Sequence, residues 1–129
     1  MAKKNEPCPC GRGKNLAECC GRYHGGEAAP DAETLMRSRY TAYTLGLEPY
    51  LLATWHPSTR PESLGLAGEA QPKWLGLEVK RFMQQDDSHA TVEFVARYKV
   101  GGRAYRMQET SRFVKEDGRW FYLTGDMAD

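Results

Sequence analysis

The sequence has no cysteine outside residues 8–20 and no long apolar run. Its apolar stretches, such as YLLA at residues 50–53, fall far short of the roughly 20 residues that a membrane-spanning helix needs. The first eight residues, MAKKNEPC, lack the apolar segment of a secretory signal peptide. We therefore expect a cytoplasmic protein without a membrane span, in a compartment that keeps thiols reduced.

The sequence also lacks an excess of charge of either sign, since its net charge is +1. Its 129 residues are about the length of one domain. Proteins that track phosphates usually show a clear basic excess, so nucleic acid is not the expected partner of the chain as a whole. The first 24 residues hold five basic and two acidic side chains. Nucleic-acid binding by this small basic segment stays a weaker alternative, which should depend strongly on salt.

All four cysteines lie in the stretch CPCGRGKNLAECC, as the pair Cys8 and Cys10 and the neighbours Cys19 and Cys20. In a reducing compartment, clustered cysteines bind metal or perform redox chemistry more often than they form disulfides. Neighbouring cysteines pair only through a strained ring, and a C-P-C that follows no strand is unlike the C-x-x-C of redox centres. Zinc accepts four thiolates in a tetrahedron, delivered as two close pairs from a short turn. The spacing therefore predicts a zinc site at these four cysteines.

The residues around the cysteines leave two alternatives open. His24 follows Cys20 by four residues and could replace one thiolate as a ligand. The stretch G-R-G-K has some likeness to a phosphate loop, but it lacks the Walker spacing and follows no strand. In the zinc interpretation its glycines permit tight turns, and Arg12 and Lys14 offset the negative charge of a four-thiolate site.

The stretch PCPCGRGKNLAECCGR closely resembles the SEC-C motif, a zinc-binding element found at the C-terminus of the translocation ATPase SecA and on many unrelated proteins. The resemblance covers about residues 6–22 and implies metal ligation by the two cysteines of C-x-C and the two of C-C. Arg12 stands where the family usually has Ser, and NLA replaces a stretch that is usually basic and aromatic. The ligands match the family, whereas the surface that would meet a partner differs from it.

Helices are predicted before strands in the remainder of the chain. GGEAAP at residues 25–30 indicates a linker between a motif at 1–24 and a domain at 31–129, and Asp31 is a helix N-cap. A second short helix begins at Glu48 and ends before HPSTRP. After a glycine-rich loop at 64–72, four alternating segments separated by QDDS, GG and KEDG predict an antiparallel meander. We expect an α+β fold in which N-terminal helices cover one face of the sheet.

The third predicted strand breaks the core pattern at Glu109. If its aromatic side faces inward, Glu109 faces inward too, and a buried carboxylate needs a partner or a raised pKa. One explanation is an ion pair with Arg37 or Arg39 of the first helix. The other is a ligand pocket with Glu109 as its floor, in which His56 would complete an acid–base pair. The residues predicted for this pocket are Tyr40, Trp55, His56, Trp74, Glu109 and Tyr122.

The body of the chain also resembles a known family. LMRSRYTAY, YLLATWHPSTRP, WLGLEV, VEFVARY, ETSRF and GRWFYLTG, after a SEC-C motif, look like the YchJ-like family of bacterial proteins, across about residues 6–126. This resemblance implies a nuclear-transport-factor-2-like fold, a cone of curved antiparallel sheet wrapped by helices. No established activity comes with that family, and the fold hosts enzymes, ligand binders and interaction domains alike.

These observations favour a zinc-binding interaction or adaptor protein over an enzyme. The SEC-C-like motif is expected to dock a protein partner, and the cone to bind a small ligand or peptide. The alternative is a small-molecule enzyme that uses His56 and Glu109 as acid and base. A catalytic zinc is disfavoured because four thiolates leave no coordination position for water.

Overall fold

The structure is a computed structural model that describes residues 7–64 and 72–127. A 3₁₀ turn at Leu16–Glu18 leads into helices α1 (Cys20–His24), α2 (Ala32–Leu45) and α3 (Glu48–Ala53). Four strands follow, β1 (Lys73–Asp86), β2 (His89–Val100), β3 (Arg103–Glu116) and β4 (Arg119–Met127). The α+β class is thereby confirmed. The loop predicted at 64–72 lies, except for its two end residues, outside the described residues.

Helix α2 begins and ends where the sequence predicts. The Asp31 carboxylate accepts a hydrogen bond of 2.7 Å from the backbone N–H of Thr34, which satisfies one of the free donors of the first turn. Gly46 ends the helix with φ of 73°, a conformation that costs a glycine little. In α3, Pro49 occupies the first turn, where its missing N–H is not needed.

The four strands form one antiparallel sheet in the order β1-β2-β3-β4, each joined to the next by a hairpin. Gly101 and Gly102 turn between β2 and β3 with φ of 59° and 81°, and Asp117 and Gly118 turn between β3 and β4 with φ of 53° and 80°. Two successive residues with positive φ match the right-handed twist of the flanking strands. The predicted meander is confirmed.

The core lies between α2 and the concave face of the sheet. Met36 and Tyr40 of α2 pack against a layer of buried strand residues that includes Val92 and Phe113, and burial of this apolar surface is the main force that holds helix to sheet. Val95 is also fully buried, although it lies on the convex face. Its direct cross-strand partners are Glu78 and Gln108.

The segment after α3 joins β4 through a short parallel bridge between Trp55 and Tyr122. The Tyr122 N–H donates to the Thr54 carbonyl, and the His56 N–H donates to the Tyr122 carbonyl, both at 2.8 Å. This bridge fixes which way Trp55 and His56 project. Among the described residues, no helix has the length and apolar character that crossing a membrane requires.

Candidate metal centre and cone pocket

The four cysteines occupy a compact loop and the start of α1. The Cys8 N–H donates to the Lys14 carbonyl at 2.8 Å, and the Gly11 N–H donates to the Cys8 carbonyl at 3.2 Å. Gly11 and Gly13 adopt φ of 84° and 86°, which explains the glycines of GRGKN. All four thiols are buried, and none forms a disulfide.

The four sulfur atoms fit a tetrahedral metal ion. They all lie within 4.8 Å of one another, and the Sγ atoms of Cys10 and Cys19 are 3.6 Å apart. A tetrahedron with Zn–S bonds of about 2.3 Å places its sulfurs about 3.8 Å apart. Hydrogen bonds with Cys10 and Cys20 lower the pKa of the Cys8 thiol, whereas burial raises the pKa of Cys19 to about 11. Four crowded buried sulfurs cannot all ionise unless a cation replaces their protons.

Helix α2 holds the cysteine cluster from one side. The Thr41 hydroxyl donates to the Sγ of Cys20 at 3.4 Å and lies 3.6 Å from the Sγ of Cys8. One turn earlier, the Arg37 guanidinium donates to the Cys10 carbonyl at 2.8 Å. Leu77 of β1 packs against the cluster as well. Hydrogen bonds of this kind orient metal ligands, so α2 supplies the outer shell of the site.

Cations surround the cluster, and His24 does not belong to it. A cleft of about 30 Å³ beside Cys19 and Cys20 is lined by Arg12, Lys14, Arg22 and Arg37, among others. Their charges oppose the net negative charge of a four-thiolate metal site, as the sequence predicts. The Nε2 of His24 instead lies 2.9 Å from the Ser38 carbonyl, to which it donates.

A second cavity, of about 280 Å³, lies between α2 and the concave face of the sheet, and we call it the cone pocket. Five of the six residues predicted for it line its walls: Tyr40, Trp55, Trp74, Glu109 and Tyr122. The sequence reasoning missed the remaining lining residues, which are Met36, Arg39, Tyr43, Phe94, Ala96, Met107 and Ser111. Every second residue of β2 and β3 faces the core, and this pattern could have predicted the strand residues of the pocket: Phe94, Ala96, Met107 and Ser111.

Arg39 is the buried cation of the cone pocket. It is 5% exposed, and its Nη1 donates to the Leu51 carbonyl at 2.8 Å and to the Thr54 hydroxyl at 2.7 Å. The guanidinium carbon lies 4.6 Å from the ring centre of Tyr122 and 5.2 Å from that of Trp55. These ring faces offset part of the cost of burying the charge. Burial lowers the pKa of Arg39, and neighbouring acidic groups including Glu109 oppose that effect.

Glu109 is the acceptor of the cone pocket. Its Oε2 accepts hydrogen bonds from the hydroxyls of Ser111, at 2.7 Å, and Tyr122, at 3.3 Å. Burial, followed by the charge of Glu109, raises the pKa of Tyr122. Within residues 7–64 and 72–127, Glu109 forms no ion pair with either arginine proposed for it. Arg37 pairs with Glu33 instead, at 2.9 Å.

The structure does not bring His56 to Glu109. The Nδ1 of His56 accepts from the Ser58 N–H at 3.1 Å, and Nε2 lies 2.8 Å from Glu116, to which it donates. Trp55 and His56 are successive residues of the bridge to β4, and successive side chains of an extended segment point to opposite sides. Because Trp55 faces the pocket, His56 faces away from it.

The chain matches two family models in succession. The model described as "YchJ, middle NTF2-like domain" matches residues 31–125, and the SEC-C motif model matches residues 5–22. A SEC-C motif followed by an NTF2-like domain defines the class of protein. Within that class the chain belongs to the YchJ family, which confirms the resemblance seen in the sequence.

Relatives and solved structures agree with this assignment. A UPF0225 protein of Chromobacterium violaceum is 64% identical in an alignment of 126 residues, and the match covers 94% of this chain and 93% of that protein. A UPF0225 protein of Bordetella pertussis is 57% identical over 123 residues, covering 93% and 92%.

The solution structure of a SEC-C motif containing protein from Rhodopseudomonas palustris superposes with a TM-score of 0.85 at 35% identity, over 95% of this chain and 99% of that one. The crystal structure of a SEC-C motif containing protein from Psychrobacter arcticus gives a TM-score of 0.82 at 27% identity, over 100% and 86%. These likenesses confirm the fold.

Proposed function

We propose that the protein is a ligand-binding module whose structure is stabilised by zinc at Cys8, Cys10, Cys19 and Cys20. The observation that carries the proposal is the cone pocket, which places a buried cation and a carboxylate on aromatic walls. Pockets of this kind, mostly apolar with a few convergent polar groups, are typical small-molecule sites. The zinc is structural in this proposal, because four thiolates fill its coordination sphere.

The polar groups of the pocket indicate the class of ligand. Nε and Nη2 of Arg39 and Oε1 of Glu109 form no hydrogen bond with the described part of the chain. A bound molecule can therefore accept a hydrogen bond from Arg39 and donate one to Glu109. The rings of Tyr40, Trp55 and Trp74 favour a flat body. A planar aromatic amide, which has an acceptor and a donor side by side, meets these conditions.

Purified protein titrated with nicotinamide, benzamide and indole-3-carboxamide tests this proposal. Binding to the folded state raises Tm in proportion to the logarithm of ligand concentration above Kd. At least one probe should raise Tm, and Glu109→Gln should weaken its binding about 10-fold, since one hydrogen bond to a charged group contributes about 1.5 kcal/mol. The control variant is Glu93→Gln, which makes the same change on the convex face and should bind normally. No shift with any probe, and no small molecule in native mass spectra of the purified protein, would contradict the pocket's role.

The adaptor role and the cytoplasmic location stay predictions. The motif packs on α2 and β1, and residues 11–14 of its loop are exposed, although Arg12 also pairs with Glu33 of α2 at 3.6 Å. We expect a protein partner to dock at this exposed loop. No observation favours the alternative enzyme, because His56 contacts Glu116 rather than Glu109.

A further inference from the structure

Strand β3 has an open edge along its first six residues. The last residue of β4, Met127, is the cross-strand partner of Glu109. In the described part of the chain, residues 103–108 therefore pair with β2 and with no strand on their other side. Residues 103–106 are all exposed. Such an edge presents backbone N–H and C=O groups on which another strand can form, and six residues span about 20 Å.

The turn between β2 and β3 determines which backbone groups face the open edge. The two glycines at 101–102 are flanked by Val100 and Arg103, which form a hydrogen-bonded pair across a two-residue turn. In an antiparallel ladder, such pairs alternate with pairs that exchange no hydrogen bonds. The N–H and C=O groups of Ala104 and Arg106 therefore point away from β2, toward the open edge.

The convex face of the sheet carries unbalanced positive charge beside this edge. Arg106 lies on that face, and its direct cross-strand partner is Arg97. Arg97 pairs with Glu78 at 3.8 Å, whereas the partner of Arg106 among the described side chains is the neutral amide of Gln108, at 3.3 Å. Like charges opposite one another destabilise a sheet. A carboxylate on an added strand, opposite Arg106, would give each arginine an acidic partner.

The concave face offers a flat ring at the same edge. Tyr105 lies two residues from Met107, which lines the cone pocket, and therefore faces the concave side. Its ring stacks on that of its cross-strand partner Tyr98, with centres 5.5 Å apart and planes 21° from parallel. Stacking covers the side of the ring that is turned toward β2, and Tyr105 is still 42% exposed. An aromatic side chain of an added strand can pack on its other side.

We propose that the edge of β3 at residues 103–108 binds an extended acidic segment of a partner protein, which adds an antiparallel strand to the sheet. Backbone hydrogen bonds hold such a strand, and its alternate side chains give specificity. Successive side chains of a strand point to opposite faces. Acidic side chains therefore meet Arg106 on the convex face, while aromatic ones meet Tyr105 on the concave face.

Charge also argues against a second copy of the chain as the added strand. Residues 97–108, RYKVGGRAYRMQ, contain four basic and no acidic side chains. Two such edges would bring Arg103 and Arg106 of both copies together, and charges of one sign on an edge prevent pairing between identical edges.

Amide hydrogen exchange, followed by NMR on the full chain, tests the proposal at single residues. The probe is the capped peptide Glu-Phe-Glu-Tyr-Glu-Phe-Glu, whose Kd comes from a chemical-shift titration. At a peptide concentration of about 10 times Kd, exchange at Ala104 and Arg106 should slow about 10-fold, because their amides donate to the added strand. Exchange at Tyr105, whose amide already faces β2, should change less. No chemical-shift change at about 1 mM peptide, or binding that leaves exchange at Ala104 and Arg106 unchanged, would overturn the proposal.

Two methylated peptides separate strand addition from attraction of charge. Opposite residues of an antiparallel pair share a face, so the inner Glu residues of the peptide lie opposite Ala104 and Arg106 and donate their amides to the edge. Methylation of those two amide nitrogens should weaken binding about 10-fold. Methylation at the two Phe residues, whose amides point away, is the matched control and should leave binding unchanged. Equal binding by the two methylated peptides would overturn the proposal in favour of charge alone.

Substitutions test the two faces. Arg106→Gln and Tyr105→Ala should each weaken peptide binding about 3-fold, as expected for one cross-strand pair. Arg112→Gln is the control, because Arg112 lies on the convex face of β3 beside β4 and pairs with Asp126 at 2.7 Å. Equal weakening by Arg106→Gln and Arg112→Gln would overturn the proposal, since net charge would explain it. Protection of Ala104 and Arg106 that grows with protein concentration in the absence of peptide would overturn it in favour of a second copy of the chain.

Discussion

Gly125 of β4 gives the carboxylate of Glu109 its place in the cone pocket. A Cβ at position 125 would overlap that carboxylate, with the Cδ of Glu109 only 2.7 Å away and the Tyr122 hydroxyl 2.9 Å away. Gly125 is the direct cross-strand partner of Ser111, which donates to the same carboxylate. Because Gly125 has no side chain, the carboxylate of Glu109 can meet the hydroxyls of Ser111 and Tyr122.

Gly125→Ala should lower the free energy of unfolding by about 1–3 kcal/mol, because the added methyl forces the Glu109 side chain out of its position. Urea denaturation measures the change. Gly76→Ala is the matched control, since a Cβ there meets nothing within 4 Å. Glu109→Ala in the Gly125→Ala background should recover most of the loss. Equal destabilisation by the two glycine substitutions would show that the contact with Glu109 is not the cause.

The sequence alone does not predict which of Trp55 and His56 faces the cone pocket. The sequence predicts both for the cone pocket, Trp55 as part of its aromatic rim and His56 as the acid–base partner of Glu109. The backbone bridge to Tyr122 decides between them, and it joins the segment after α3 to β4, which is distant in sequence. One explanation for Glu109 is an ion pair with Arg37 or Arg39, whereas in the structure Arg39 is held by Leu51, Thr54 and two ring faces.

At the scale of the elements, the bounds of α2 and the four strands follow from local signals. An N-cap, a C-terminal glycine and alternation between turn residues predict them without knowledge of the tertiary structure. The docking of the cysteine motif on α2 was missed, because the face of α2 that receives it is polar. Ser38 and Thr41 are fully buried on that helix, and Thr34 is nearly so. Polar residues in the middle of a helix rarely predict burial from the sequence alone.

Thr41→Val should weaken zinc binding about 10- to 100-fold, because the hydroxyl that contacts two of the thiolates is lost while the shape of the side chain is kept. Competition with a chelator measures the affinity. Thr44→Val is the control on the same helix, since its hydroxyl donates to the Thr41 carbonyl and contacts no sulfur. If both variants lose zinc equally, a general effect on α2 rather than the sulfur contact is responsible.

At the scale of the whole molecule, buried tyrosines link stability to alkaline pH. Burial raises the pKa of Tyr40, Tyr43, Tyr50 and Tyr122 above the ordinary value of 10.0. The folded state thus holds these protons more tightly than the unfolded state does. Their contribution is fully present below pH 10 and is lost as pH rises through the raised values.

Urea denaturation at increasing pH should therefore show the free energy of unfolding falling steadily above about pH 10, where unfolded tyrosines ionise. Tyr122→Phe keeps the ring and removes one titrating group, so its curve should fall less steeply than that of the natural sequence. A flat profile in this range, or an identical slope in the variant, would contradict the assignment to Tyr122.

Helix α2 is buried on nearly all sides, and successive residues on it serve different sites. Tyr40 lines the cone pocket, while Thr41 contacts the cysteine sulfurs. The helix cannot shift toward one site without moving against the other, because packed interiors do not deform continuously. We therefore expect occupancy of the two candidate sites to be thermodynamically linked. If bound metal changes the affinity of the pocket for its ligand by some factor, bound ligand changes the affinity for metal by the same factor.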